Sequence, residues 1–365
     1  MATAQKFMSQ RRTLAWPAAH LLGAMFLLWI AFANGFPMFF NDSGTYLSIG
    51  KALGYPKDRP ATYGLAIAPF HLAFGLWGIV IAQALFATWV IGLVMTGATE
   101  RRAPRALIGA TALLAVASSL PWFVGQVMPD LFTGLMVVLI FLLVFPHRDL
   151  PRRARLLLTM LLTMLIGFHL SHLAIAAILI PVAAVAAVRW GPRRQALAGA
   201  AQAAAAWVLA VLALSTANVL VTGQFRPAVM SESFMFASLL ERGLAGEVLD
   251  EACAERTLSL CAAQPLIERS KSPGSAYLWG RESPLHVLQR TAPERLRAEE
   301  AAIIRRTIAE RPADVLRMAV RGWAGQLTSA ASGDGMEAYP PESSIAIVMR
   351  RHFSLSGAAW AASLQ

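Results

Sequence analysis

Two carboxylates, a guanidinium and two imidazoles stand in the short polar gaps of an otherwise apolar chain. Asp42 follows an aromatic run in "FFNDSGTYL". A carboxylate so close to an apolar boundary is partly desolvated, which suits a general base or a ligand for a divalent cation (Mg or Mn) that bridges to a substrate phosphate. Asp42 or Ser43 is equally suited to cap a helix through Tyr46, Leu47, Ile49 and Lys51, and such a helix would also position the carboxylate. Arg59 and Tyr63 follow in "DRPATYG", with Lys51 and Lys57 nearby. Arginine offers a two-pronged fork for phosphate, although attraction to lipid headgroups would account for the same basic cluster. Asp130 in "GQVMPD" makes a good helix start with Pro129, and an acid at the mouth of an apolar helix is a site candidate by default. Gln126 adds a neutral hydrogen-bonding group there. His169 and His172 share a helical face if one helix runs through both. They could hold a metal, meet a phosphate or exchange protons, or be a satisfied interfacial pair. Walker, HExxH and GxSxG patterns are missing, so nucleotide-driven chemistry has no support.

The elements that position these residues are read from composition. The chain has 365 residues, 56% hydrophobic, and a formal charge of +11. Apolar runs cover 17–39, 75–98, 106–121, 131–146, 156–170, 172–189 and 201–222. They predict an all-α polytopic membrane protein with about seven spans, because lipid leaves backbone groups no partner outside a helix. The segment 61–98 is too long for one span, and Pro69, Phe70, His71 and Phe74 mark its first part as a short interface helix. Gaps between runs alternate in character. "SQRR", "ERRAPR", "HRDLPRRAR" and "RWGPRR" hold about 13 Lys or Arg, against about 3 in the short opposite gaps. Positive-inside topology then places the N-terminus in the cytoplasm, the chain in a bacterial inner membrane, and every candidate residue above on the periplasmic side. The same placement explains the positive charge without nucleic acid. "FPMFF" follows the first run where a leader would carry a small-residue cleavage site, so that run is read as retained.

Residues 1–222 are therefore expected to form the transmembrane module, with its first periplasmic loop and interface helix at 40–74, and 223–365 a mainly helical periplasmic domain. Cys253 and Cys261 lie in that domain, where an oxidising compartment favours one local disulfide over two free thiols. Residues 293–328 read as two helices meeting at "RPADV", with Pro312 in the first turn of the second. Their apolar positions, Ile303 to Leu327, either lie on the bilayer surface or pack on the span bundle; packing is the simpler expectation.

Asp42 in the first outer loop, an interface helix after it, "MPD" opening the fourth span and about seven spans before an external domain resemble the GT-C superfamily of membrane glycosyltransferases. The resemblance covers roughly residues 10–225 and lies in architecture more than in motif. It implies a catalytic or metal-associated role for Asp42 and a site role for Asp130. It also implies a polyprenyl-phosphate-linked sugar donor, and a glycan or lipid acceptor in the cell envelope. Arg59, His169 and His172 are the positions that would meet the phosphate, with Tyr46, Lys51, Tyr63 and Gln126 lining the substrate. Two other readings compete. A lipid or polysaccharide transporter would place charged or broken helix at mid-span, whereas these span interiors are almost free of charge. A non-catalytic envelope-assembly protein would depend on residues 223–342 and not on Asp42.

Overall fold

The computed structural model describes residues 2–52, 56–99, 102–145, 151–255, 258–329, 331, 339, 340 and 343–353, without the side chains of 2–14, 51, 52, 98, 99, 221, 344 and 352. Helix dominates, and no strand occurs among the described residues beyond one isolated bridge between Met38 and Gln126. The chain divides into two compact units, Met1–Ala228 with Ser332–Gln365, and Val229–Ala331.

In the first unit the helices are α1 (Ala2–Leu27), α2 (Trp29–Asn34), α3 (Ser43–Ala52), α4 (Thr62–Thr99), α5 (Pro104–Ala117), α6 (Leu120–Gly125), α7 (Leu131–Val144), α8 (Arg152–Phe168), α9 (Leu170–Trp190) and α10 (Arg193–Thr222). Each expected apolar run falls on helix. Among the described residues, three helices are long and apolar enough to cross a membrane, Thr62–Gly97, Leu170–Trp190 and Arg193–Leu220. Ala15–Leu27, Pro104–Ala117 and Leu131–Val144 are shorter apolar helices. The first and third runs are shorter than expected because their helices break, at Leu28 and at Ser118, whose φ of −144° and ψ of 169° are extended. Part of the arginine-rich gaps, at residues 100–101 and 147–150, lies outside the described residues.

The segment expected as an interface helix and the run expected as the following span are two helical limbs of α4 that meet at a kink at Gly75, where φ is 66° and ψ −168°. That backbone conformation excludes a Cβ, so glycine at this position sets the bend. Phe70, Leu72 and Phe74 of the first limb are 40%, 60% and 75% exposed, as an interfacial helix requires.

A second glycine sets helix spacing. A Cβ on Gly199 of α10 would lie 1.9 Å from the Leu143 carbonyl oxygen of α7, and backbone cannot rotate away. Gly199→Ala is therefore expected to destabilise the unit by at least about 2 kcal/mol through forced helix separation. Gly109→Ala, which meets nothing within 4 Å, should be neutral. Thermal melting of the two solubilised variants checks this; equal melting would mean that α7 and α10 are not closely packed.

The boundary expected at 223 falls at Val229, and the last segment belongs with the apolar unit. Its helix, α18 (Ser344–His352), buries Ile345, Met349 and Phe353 in the bundle's core and packs on α3. Spacing of four places all three on one face, which is why a segment too charged to span a bilayer still packs on the bundle.

The second unit holds α11 (Ser231–Glu241), α12 (Gly246–Glu255), α13 (Gln264–Arg269), α14 (Pro273–Trp279), α15 (Leu285–Thr291), α16 (Pro293–Glu310) and α17 (Pro312–Thr328). The expected disulfide joins Cys253 to Cys261, with Cα atoms 5.8 Å apart, and α16 and α17 meet at Arg311 as the sequence predicts. Phe236, Leu239, Leu249, Leu260 and Tyr277 build the core.

Two acids enter that core on α16. Glu299 accepts the Leu260 amide at 3.0 Å. Glu300, 1% exposed, accepts hydroxyl bonds from Tyr277 at 2.6 Å and Ser233 at 3.0 Å. Burial pushes the Glu300 carboxyl up to about 7, against the pull of those two bonds. Its folded pKa thus exceeds the unfolded value of 4.5. The stabilisation is full below pH 4.5 and is lost as pH rises through 7, roughly 3 kcal/mol at most. Protease resistance of the 229–331 region in the full chain should fall between pH 5 and 8, and Glu300→Gln should flatten that fall. An unchanged profile in Glu300→Gln would assign the pH dependence to another group.

Candidate functional site

The site is assembled by main-chain bonds between segments far apart in sequence. Met38 N–H donates to the Gly125 carbonyl and its own carbonyl accepts Val127 N–H, each at 2.9 Å. Ser43 Oγ donates to the Val127 carbonyl at 2.9 Å while accepting Phe40 N–H at 2.8 Å. The loop carrying Asp42 is thereby fastened to the loop that leads to Asp130. Gln83 of α4 completes the seam. Its amide donates to the Val124 and Gln126 carbonyls at 2.9 Å, and its oxygen accepts the Tyr63 hydroxyl at 2.7 Å. The Gln126 side-chain amide approaches the Phe39 carbonyl at 3.5 Å beside this seam.

Asp42 stands at the N-cap position of α3, since its carbonyl accepts from Thr45 and Tyr46. Its carboxylate does not cap. Oδ1 lies 2.6 Å from Nη1 of Arg59. Asp58, whose role the sequence reading missed, takes the rest of the guanidinium, with Nε at 2.9 Å and Nη2 at 2.5 Å from Oδ2. Only the adjacency of Asp58 to Arg59 hinted at this in the sequence. The Arg59 side chain is 12% exposed and that of Asp42 37%. Burial alone would lower the Arg59 pKa, but the Asp58 and Asp42 carboxylates outweigh it and hold the guanidinium charged. It lies 5.7 Å from the centroid of the Tyr46 ring, which meets Tyr63 edge-on at 5.0 Å. Burial pushes the Tyr46 hydroxyl up, so it remains a neutral hydrogen-bonding group.

Asp130 occupies the N-cap position of α7 without a side-chain cap bond, and remains exposed. Desolvation by the surrounding protein raises its pKa, His169 pulls it down, and Asp42 raises it further. His169 and Asp42 thus each act on Asp130 through their charge.

The histidine pair differs from expectation. The helix does not run through; it breaks at His169, whose φ of −144° and ψ of 141° are extended. His169 stands at the N-cap of α9 and His172 in its first turn, and the two rings lie 5.6 Å apart. His172 is fully buried, with Nδ1 2.7 Å from the Leu165 carbonyl and Nε2 2.7 Å from Thr133 Oγ1. The carbonyl can only accept, so Nδ1 carries the proton and Nε2 accepts from Thr133. Both nitrogens are engaged, and His172 ties α9 to α7 and α8 instead of binding a ligand. His169 caps α9, its Nδ1 accepting Ser171 N–H at 3.2 Å, which leaves Nε2–H to meet a ligand.

Arg59 lies between Asp42 and Asp58, the His172 Nε2 lone pair is taken by Thr133, and no three His, Cys, Asp or Glu side chains converge among the described residues. Lys51 lies on α3, with its side chain outside the described residues. An apolar cavity of about 330 Å³ lies between both limbs of α4, α7 and α8. Tyr63 and Gln83 form its polar end, and Phe70, Phe86, Phe132 and Met164 line the rest. Thr62 Oγ1, bonded to the Gly167 carbonyl, holds α4 to α8 beside it.

No family model, curated protein or solved structure matches this chain. The chemistry is therefore argued from geometry. A charged guanidinium and a partly exposed carboxylate are linked through the Tyr46 ring to Tyr63, which lines an apolar cavity. That arrangement suits an amphiphile with an anionic head.

Proposed function

We propose that the protein is a membrane glycosyltransferase that moves a sugar from a polyprenyl-phosphate donor to a cell-envelope glycan or lipid acceptor. The observation that carries this reading is the buried, charge-clamped Arg59, which reaches through the Tyr46 ring to Tyr63, a residue lining the apolar cavity. The isoprenoid tail occupies that cavity and the phosphate meets Arg59 and the His169 Nε2–H. Asp42 takes the proton from the acceptor hydroxyl, whose oxygen forms a bond to the anomeric carbon. The bond from that carbon to the phosphate oxygen breaks, and the charge left on polyprenyl phosphate is balanced by Arg59. Asp130 orients the acceptor. The arginine distribution supports seven spans in a bacterial inner membrane, with the N-terminus cytoplasmic and this site periplasmic. The fixed guanidinium supplies the positive charge for which a divalent cation was expected.

A photoreactive polyprenyl phosphate added to the purified full chain tests the reading. Crosslinks are expected on α4 and α8 peptides, displaced by unlabelled polyprenyl phosphate but not by polyprenol. Equal displacement by polyprenol would show that no phosphate is recognised and would sink the assignment.

A further inference from the structure

Helix α17 has two apolar sides, and its own unit covers only one of them. Val315 and Met318 pack on the core of their own unit. Roughly 140° round the helix at 3.6 residues per turn, Leu316, Val320, Trp323 and Leu327 form a stripe 65%, 51%, 66% and 69% exposed. None of α17 is fully buried. An uncovered stripe of four large apolar side chains in one small unit marks a surface with a partner.

We propose that this stripe is seated in the headgroup–acyl boundary of an anionic lipid bilayer. Two features select lipid. Arg317 borders the stripe, and a tryptophan within it completes the pattern of a helix lying in a membrane interface. Asp314 pairs with Arg317 at 2.7 Å, at the end of the helix away from Trp323 and Leu327, so Arg321 is the cation nearest the deepest residues. Chain connectivity supplies the bilayer. The helix ends at Thr328, and by Tyr339 the chain is back on the apolar bundle, where the Tyr339 hydroxyl donates to the Phe39 carbonyl at 3.3 Å. An extended chain covers at most about 3.6 Å per residue, so α17 stays within reach of the membrane that holds the bundle. The inference does not depend on the catalytic reading of Asp42.

The test uses the full chain, with its disulfide intact, in nanodiscs containing phosphatidylglycerol. Spin labels are placed singly at Val320→Cys, Leu327→Cys and Arg321→Cys, and collision with lipid-soluble oxygen is compared with collision with a water-soluble nickel chelate. The oxygen-to-nickel ratio is expected to be severalfold higher at 320 and 327 than at 321, and to fall at 320 when Trp323→Glu is added. Equal ratios at all three positions would place the helix in water. Labels at 320 and 327 inaccessible to both reagents would mean that protein covers the stripe, either the chain's own bundle or a second copy. Either result overturns the proposal.

Discussion

An Asp42→Asn protein is expected to insert and fold as wild type does and to lose transfer activity by about 10²- to 10⁴-fold. The separation of folding from activity follows from how Asp42 is used. Its contribution to the start of α3 is a backbone carbonyl, which the substitution leaves unchanged. Arg59 keeps its two bonds to Asp58. What disappears is the ionised oxygen that can take a proton. Initial rates at matched membrane expression check this. Activity within a few-fold of wild type would reduce Asp42 to a helix-start residue.

Replacing Arg59 should separate charge from shape. Arg59→Gln leaves Asp42 and Asp58 facing each other without a counter-charge, at a cost of about 3 kcal/mol, the low end for a broken pair because Asp42 keeps 37% exposure. Arg59→Lys restores the charge but not the planar fork that spans two carboxylates and a phosphate. It should retain most of the stability while weakening donor binding by about 10- to 100-fold, the worth of a charged hydrogen bond. Melting of the solubilised variants and competition by polyprenyl phosphate give the two readouts. Wild-type donor affinity in Arg59→Lys would mean that the fork touches only Asp42 and Asp58. Adding Asp58→Asn to Arg59→Gln should recover part of the lost stability, since one of the two stranded charges is gone.

The elements were legible from the sequence because their causes are local. Apolar length specifies the helices, and the aromatic cluster at Phe70–Phe74 announces the bend that Gly75 makes. The α16–α17 corner follows from Pro312, and the disulfide from two cysteines in one short segment. The site was legible only as residue types. Whether Asp42 and Asp130 meet depends on the Met38–Gln126 bridge, whose backbone bonds leave no trace in side-chain pattern. Gln83 was visible as a lone amide in an apolar run, but its three partners were not. The nearness of the histidine pair was legible, with rings 5.6 Å apart, but the bonds of His172 to Leu165 and Thr133 were not, because they depend on how α7 and α8 pack. The placement of α18 was missed because hydropathy averages over a face, and three residues suffice to anchor a short amphipathic helix.

The central claim is that Asp42 performs sugar transfer at a membrane boundary. Its most direct test is the profile of surface glycans and lipid-linked saccharides in a deletion strain complemented with wild type or Asp42→Asn at equal membrane levels. The account predicts that a glycan lost on deletion returns with wild type and stays missing with Asp42→Asn, and the missing species then identifies the acceptor. Full restoration by Asp42→Asn, or a deletion that changes no glycan, would contradict it.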